Sequence, residues 1–130
     1  MQKVNYVRLY TDERGESHFE DLELELPSVD FAPPAGPLNV LTFLPVEQSL
    51  LLGFPVGWSG EAFHPSPNRQ VFCVLQGEFS GTASDGTSRS FPVGSIILLE
   101  DTWGKGHSSS LISDTEGLLF AVTLADTEEA

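Results

Sequence analysis

The sequence predicts an all-β domain, a sandwich or barrel of short strands. No segment sustains a helical period; short apolar runs recur along the chain, each ended by Gly, Pro, Asn or Asp. The segment His18–Leu26 alternates cleanly, with Leu22, Leu24 and Leu26 on one face and Asp21, Glu23 and Glu25 on the other. Ser84-Asp85-Gly86 separates two β-prone runs, and Asp-Gly is a strong hairpin signal.

The elements follow in order. Val4–Tyr10 alternates as a first strand, Asp12-Glu13-Arg14-Gly15 turns, and His18–Leu26 returns. Residues 29–37 (VDFAPPAGP) read as a loop, because proline cannot donate to a ladder. Strands are expected at Val40–Leu44 and Ser49–Phe54, then around His64 after the turn Pro55–Gly60. Gln70–Leu75 is strongly β-prone and ends at Gly77. Glu78–Ala83 and Thr87–Phe91 make the hairpin, Pro92-Val93-Gly94 turns into Ser95–Leu99, and the loop Glu100–Gly106 leads to His107–Ile112. Leu118–Leu124 is the last strand; the acidic tail Asp126–Ala130 is expected to fray.

At 130 residues the chain reads as one domain, with a core barrel over about 38–124 and N-terminal strands over 3–26. That length suffices to bury a real core. The formal net charge of −13, from 19 acids against 6 bases, argues against nucleic acid and anionic membranes as partners, since both require a positive surface. Cys73 is the single cysteine and sits in the apolar run VFCVL, so no internal disulfide forms. No leader pattern and no apolar run of membrane-spanning length is present, which makes a cytoplasmic location the expectation.

Two spaced motifs stand out. Residues 57–77 read Gly57-WSGEAF-His64-Pro65-Ser66-PNR-Gln70-VFCVLQ-Gly77, and residues 94–107 read Gly94-SIILL-Glu100-DTWGKG-His107. Around the Asp-Gly hairpin, their order and spacing resemble the cupins, whose motifs are G-x5-H-x-H-x3-4-E-x6-G and G-x5-P-x-G-x2-H. The chain is similar in particular to a set of small single-domain cupins that carry a DTxGKGH loop. The resemblance covers Gly57 to Leu124 and implies a cupin-type double-stranded β-helix, a jelly-roll barrel, commonly dimeric, with a ligand pocket at the barrel mouth. The frame is kept, but Ser66 stands for the second His, Gln70 stands for the Glu, and His107 arrives two residues late.

On that resemblance His64 occupies the first ligand position and His107 the last. Two imidazoles are a usual minimum for Zn, Fe or Ni, and Gln70 adds only a neutral carbonyl oxygen. His18, in phase with Leu22, Leu24 and Leu26, offers a third imidazole, and Glu20 in the same phase offers a carboxylate. The expected metal set, for Zn, Fe, Ni or Mn, is therefore His64, His107, His18 and Gln70. Without a metal, His64 and His107 are the candidate acid/base residues. Ser66, Arg69, Phe72, Trp103 and Lys105 are expected to line the pocket; Trp58 and Trp103 flank the motifs as packing or interface aromatics.

Two functions remain open at this level. One is a metal or histidine acid/base enzyme of isomerase, lyase or dioxygenase type, acting on a small, polar metabolite. The other is a non-catalytic module that binds a small ligand or only dimerises. A homodimer is expected because jelly rolls have sheet edges to cover. An interaction protein using its acidic face is a third, weaker reading.

Overall fold

The structure, a computed structural model, describes residues 1–125; the acidic tail Asp126–Ala130 lies outside the described residues. Twelve strands and no helix make up the described residues, which hold no helix long and apolar enough to cross a membrane. They are β1 (Gln2–Thr11), β2 (Ser17–Leu26), β3 (Ser28–Val29), β4 (Leu38–Asn39), β5 (Val46–Phe54) and β6 (Ser59–His64). After these come β7 (Gln70–Gln76), β8 (Phe79–Ala83), β9 (Ser88–Phe91), β10 (Ile96–Leu99), β11 (His107–Leu111) and β12 (Gly117–Leu124). Turn chemistry sets the breaks: Asp85-Gly86 joins β8 to β9, and Asp12 at the first hairpin accepts from the backbone of Arg14 and Glu16.

Six strands form one sheet in the order β2-β1-β10-β7-β12-β5, and four form a second, β6-β11-β8-β9. All pairings are antiparallel except β1 with β10. The core lies between the sheets: Val74, Phe79, Phe91, Ile97, Leu99, Leu111 and Leu119 are buried together, with Phe19, Phe54, Trp58 and Phe72 against them.

The N-terminal strands are integral to this barrel. β1 sits between β2 and β10, and Leu9 faces the core. The larger sheet is apolar on its outer side too, where Val71, Leu98 and Leu124 cluster with Tyr6, Leu44, Cys73, Ile96 and Val122. This explains the one strand that did not form. Residues 40–45 make no ladder. Instead Phe43 packs edge-on against Tyr6 with ring centroids 5.4 Å apart, and Leu44 joins the outer cluster. Apolar character there serves a covering segment, and β5 begins at Val46, ahead of the expected Ser49.

Candidate functional site

A cavity of about 230 Å³ opens between the two sheets. Phe19, Phe54, Trp58, Phe72, Phe79 and Phe91 give it aromatic walls, and no Asp, Glu, Lys or Arg lines it. Apolar side chains make up most of the rest of its lining.

Ser80 and Ser109 add hydroxyls along the smaller sheet, while the two imidazoles, Ser66 and Gln70 gather at one end, where strand register puts them. β11 pairs antiparallel with both β6 and β8, so His107 lies opposite His64 and Ala83 while Leu111 lies opposite Phe79. Gln70 pairs with Leu99 on the inner face of β7, and Phe72 and Val74 follow at alternate positions toward the apolar end. His64, Ser66, Gln70 and Phe72 thus all line the cavity, as does His107.

The hydrogen bonds define each ring. His64 Nδ1 lies 2.9 Å from the carbonyl oxygen of Pro65. A carbonyl can only accept, so this nitrogen carries the hydrogen, and in the neutral ring Nε2 is the acceptor. His107 Nδ1 lies 2.6 Å from Asp101 Oδ2. Asp101 is 0% exposed, and its Oδ1 has no hydrogen-bond partner. The two imidazoles lie 5.3 Å apart by centroid, inclined at 48°. Gln70 Nε2 donates to Ser66 Oγ at 2.9 Å, and that hydroxyl donates to the Asn68 carbonyl at 2.8 Å.

This donor set does not fit a resident divalent metal. It offers two imidazole nitrogens, the neutral carbonyl oxygen of Gln70 and no carboxylate; Ser66 is engaged with Gln70 and Asn68, and Asp101 bonds the Nδ1 side of His107. Among the described residues no three His, Cys, Asp or Glu are grouped to hold a metal.

His18 does not join the site. Its Nε2 lies 2.7 Å from Asp12 Oδ2 and its Nδ1 2.9 Å from Asp85 Oδ2, so both ring nitrogens are used. Leu22, Leu24 and Leu26 share its face, but that is the outer face of the sheet: His18 pairs with Tyr10 and Leu22 with Tyr6, whereas Phe19, of opposite parity, lines the cavity. Glu20, on the same outer face, accepts from Arg8 at 3.0 Å.

His18 instead clamps the first hairpin to the β8–β9 turn. The bond to Asp12 raises its pKa; burial opposes this, and Asp85 adds to the rise. Asp12 is correspondingly lowered by its bond to His18. Asp85 also ends lowered, because bonds from Thr87 and His18 outweigh its partial burial. A raised imidazole stabilises fully below its unfolded value of 6.5, and that share is lost as pH climbs through the folded value. The carboxylate share is present above 3.8 and lost as pH falls through the depressed values. We therefore expect His18→Ala to lower the melting temperature more at about pH 6 than at about pH 9. A gap that stays constant across that range contradicts the clamp.

Three other expected pocket residues also lie elsewhere. Arg69 immediately precedes Gln70 and so turns outward, donating from Nε and a terminal nitrogen to Glu100 Oε2 at 3.0 and 2.6 Å. Arg8 donates to the other oxygen of Glu100 at 2.6 Å. Burial of Glu100 works against its ionisation, but the two guanidiniums prevail and hold its pKa below the ordinary value. Trp103 is 52% exposed; its carbonyl accepts from Thr11. Lys105 pairs with Glu16 at 3.1 Å, and its backbone N–H donates to the Gly15 carbonyl. The loop carrying both residues is thus tied to the first hairpin rather than placed over the cavity.

Asp101 is the residue that sequence reading passed over. It sits six positions before His107 in the DTWGKGH run, and its neighbour Glu100 looks equivalent in sequence. Only the fold sends Glu100 out to two arginines and Asp101 in to His107.

No family model matches the chain, and no curated protein matches it. Solved structures do. The cupin domain of Schizosaccharomyces pombe Cnp3 is 18% identical, with a TM-score of 0.52 over 99% of this chain and 88% of that one. Protein NMB1881 from Neisseria meningitidis is 17% identical, with a TM-score of 0.43 over 59% of this chain and 72% of that one. The first likeness establishes fold alone: a small, all-β, cupin-like domain of jelly-roll type.

Proposed function

We propose that this cupin-like domain takes a small, largely apolar molecule into its barrel and turns that molecule's one polar group toward His64 and His107. The observation that carries this is the two-ended cavity: six aromatic rings line it, and both imidazoles sit at one end. Burial of a ring among those walls would supply most of the affinity, at about 25 cal/mol per Å² of apolar surface removed from water. One or two hydrogen bonds to the imidazoles would set orientation, each worth about 1 kcal/mol. A divalent ion is not required by this reading; among the described residues no three His, Cys, Asp or Glu are grouped to hold one.

Trp58 reports on the cavity directly. It lines the space, whereas the only other tryptophan, Trp103, lies outside it. In a Trp103→Phe background, phenylacetone (1-phenylpropan-2-one, an uncharged ring of about this size) should change the Trp58 fluorescence saturably. The titration should be the same before and after exhaustive treatment with EDTA. No saturable change counts against the ligand reading; binding that disappears with the chelator and returns with Zn, Fe, Ni or Mn restores the metal reading.

The outer face of the larger sheet is proposed as the contact between two copies. Leu51 and Phe120 pair across β5 and β12, at 69% and 40% exposure, beside the outer apolar cluster. Sedimentation should give twice the 14.1 kDa chain mass, and Leu51→Glu should shift it toward the single chain. A wild-type protein that sediments at 14.1 kDa rules the dimer out.

A further inference from the structure

We infer that the polar end of the cavity is a proton-transfer device acting on an uncharged, enolisable carbonyl compound. His107, positioned by Asp101, is the acid; His64 is the base. This rests on the ligand-binding reading above and adds a reaction and a substrate class to it.

The two histidines look alike in sequence and differ in what backs them. Behind His64 is a neutral carbonyl, that of Pro65. Behind His107 is a carboxylate with no exposure, no arginine or lysine bonded to it, and one oxygen without a partner. An isolated buried carboxylate is costly, and the proposal gives the pair one proton more than an ionised Asp101 beside a neutral, Nδ1-protonated His107 would hold, which leaves zero net charge. Two arrangements satisfy that. In one, Asp101 is ionised and His107 carries hydrogens on both nitrogens. In the other, the proton of the short bond rests on Asp101 and His107 keeps its hydrogen on Nε2. Both put an N–H on His107 Nε2, the nitrogen with no protein partner. His64 has no such carboxylate, and with Nδ1 donating to Pro65 the neutral ring presents Nε2 as an acceptor.

In the proposal a donor and an acceptor therefore stand side by side on adjacent strands, at the end of a cavity that no Asp, Glu, Lys or Arg lines. A ligand that satisfies both needs an oxygen that accepts and a neighbouring hydrogen that can leave. A ketone or aldehyde with an α-hydrogen provides them. His64 Nε2 takes the α-proton, the C–H electron pair becomes the C=C bond of the enol, and the carbonyl π pair moves to oxygen. That oxygen takes the Nε2 proton of His107. Reversal returns a proton to carbon at the same or a conjugated position, giving exchange or isomerisation. Nothing is oxidised or reduced, and no co-reactant is needed.

The test uses phenylacetone in D2O and follows loss of its α-hydrogens by NMR, alongside the Trp58 titration. Wild type should exchange the ketone faster than buffer. His64→Gln should cut that rate about 100-fold or more, the usual worth of a positioned base. Asp101→Asn should cut it about 10- to 100-fold while changing the phenylacetone Kd less than about threefold, the pattern of a group that acts only on the reacting state. A second readout needs no ligand. Nitrogen-15 NMR of the imidazoles should find a hydrogen on Nε2 of His107 and, in the neutral ring of His64, on Nδ1 only. Phenylacetone that binds without exchanging overturns the proton-transfer proposal and spares the binding reading; a ketone that does not bind counts against both. An unprotonated His107 Nε2 in the wild type overturns the proposal whatever the ligand does. Unchanged exchange in Asp101→Asn removes Asp101 from it.

Discussion

Gly106→Ala should cost at least about 3 kcal/mol and lower the melting temperature by more than about 10 °C. Gly106 has φ of +74°, a conformation that L side chains resist by about 1–2 kcal/mol. Steric conflict adds the rest. A Cβ at this position would overlap the carbonyl group of His64 and the nitrogen of Pro65, backbone atoms at and just past the end of β6 that cannot swing aside. The Gly106 carbonyl also accepts from the buried hydroxyl of Ser17 at 2.7 Å, so relief by moving the loop would break that bond. The strain falls on the junction that brings His64 and His107 together, and ligand binding should fail along with stability. Gly86→Ala is the control. Gly86 has φ of +95° but nothing within 4 Å of an added Cβ, so only the conformational cost of about 1–2 kcal/mol applies. Thermal denaturation of the two variants decides the matter: equal losses would mean that the close approach of residues 106 and 64 is not what Gly106 provides.

Val74→Trp should abolish phenylacetone binding, by more than about 100-fold, while the fold survives. Val74 is 2% exposed, faces the cavity from the middle of the larger sheet and touches the aromatic end. An indole there has one roomy direction, into the space reserved for ligand. Overpacking a full core costs about 1–3 kcal/mol, but here an empty cavity absorbs much of the added volume. The expected signature is lost binding with a melting temperature near that of wild type. Retained binding would place the ligand elsewhere on the molecule.

The sequence carried the fold well because strand period and turn residues are local. Asp-Gly at 85–86 and the parity of Gln70, Phe72 and Val74 are written within a few residues, and these features placed His64, Ser66, Gln70 and Phe72 around one space. What it could not carry is which side of a two-faced sheet is inside. Leu22, Leu24 and Leu26 form a clean apolar face, yet it belongs with the outer cluster, and one Phe19 of opposite parity lines the cavity. His18 followed the leucines outward to Asp12 and Asp85. Proximity in sequence misled for Arg69, one residue from Gln70 and therefore on the opposite face, and for Trp103 and Lys105, whose loop is tied to the first hairpin. Asp101 was illegible for a related reason. Adjacent acids in a loop have no period, and burial alone separates Asp101 from Glu100.

A crystal structure of the protein grown with phenylacetone tests the central claim most directly. The ring should lie among Phe19, Phe72 and Phe79, with the ketone oxygen within hydrogen-bonding distance of His107 Nε2 and the α-carbon facing His64 Nε2. A ketone oriented the other way, or His64 and His107 together gripping a divalent ion in place of the ligand's oxygen, would contradict it.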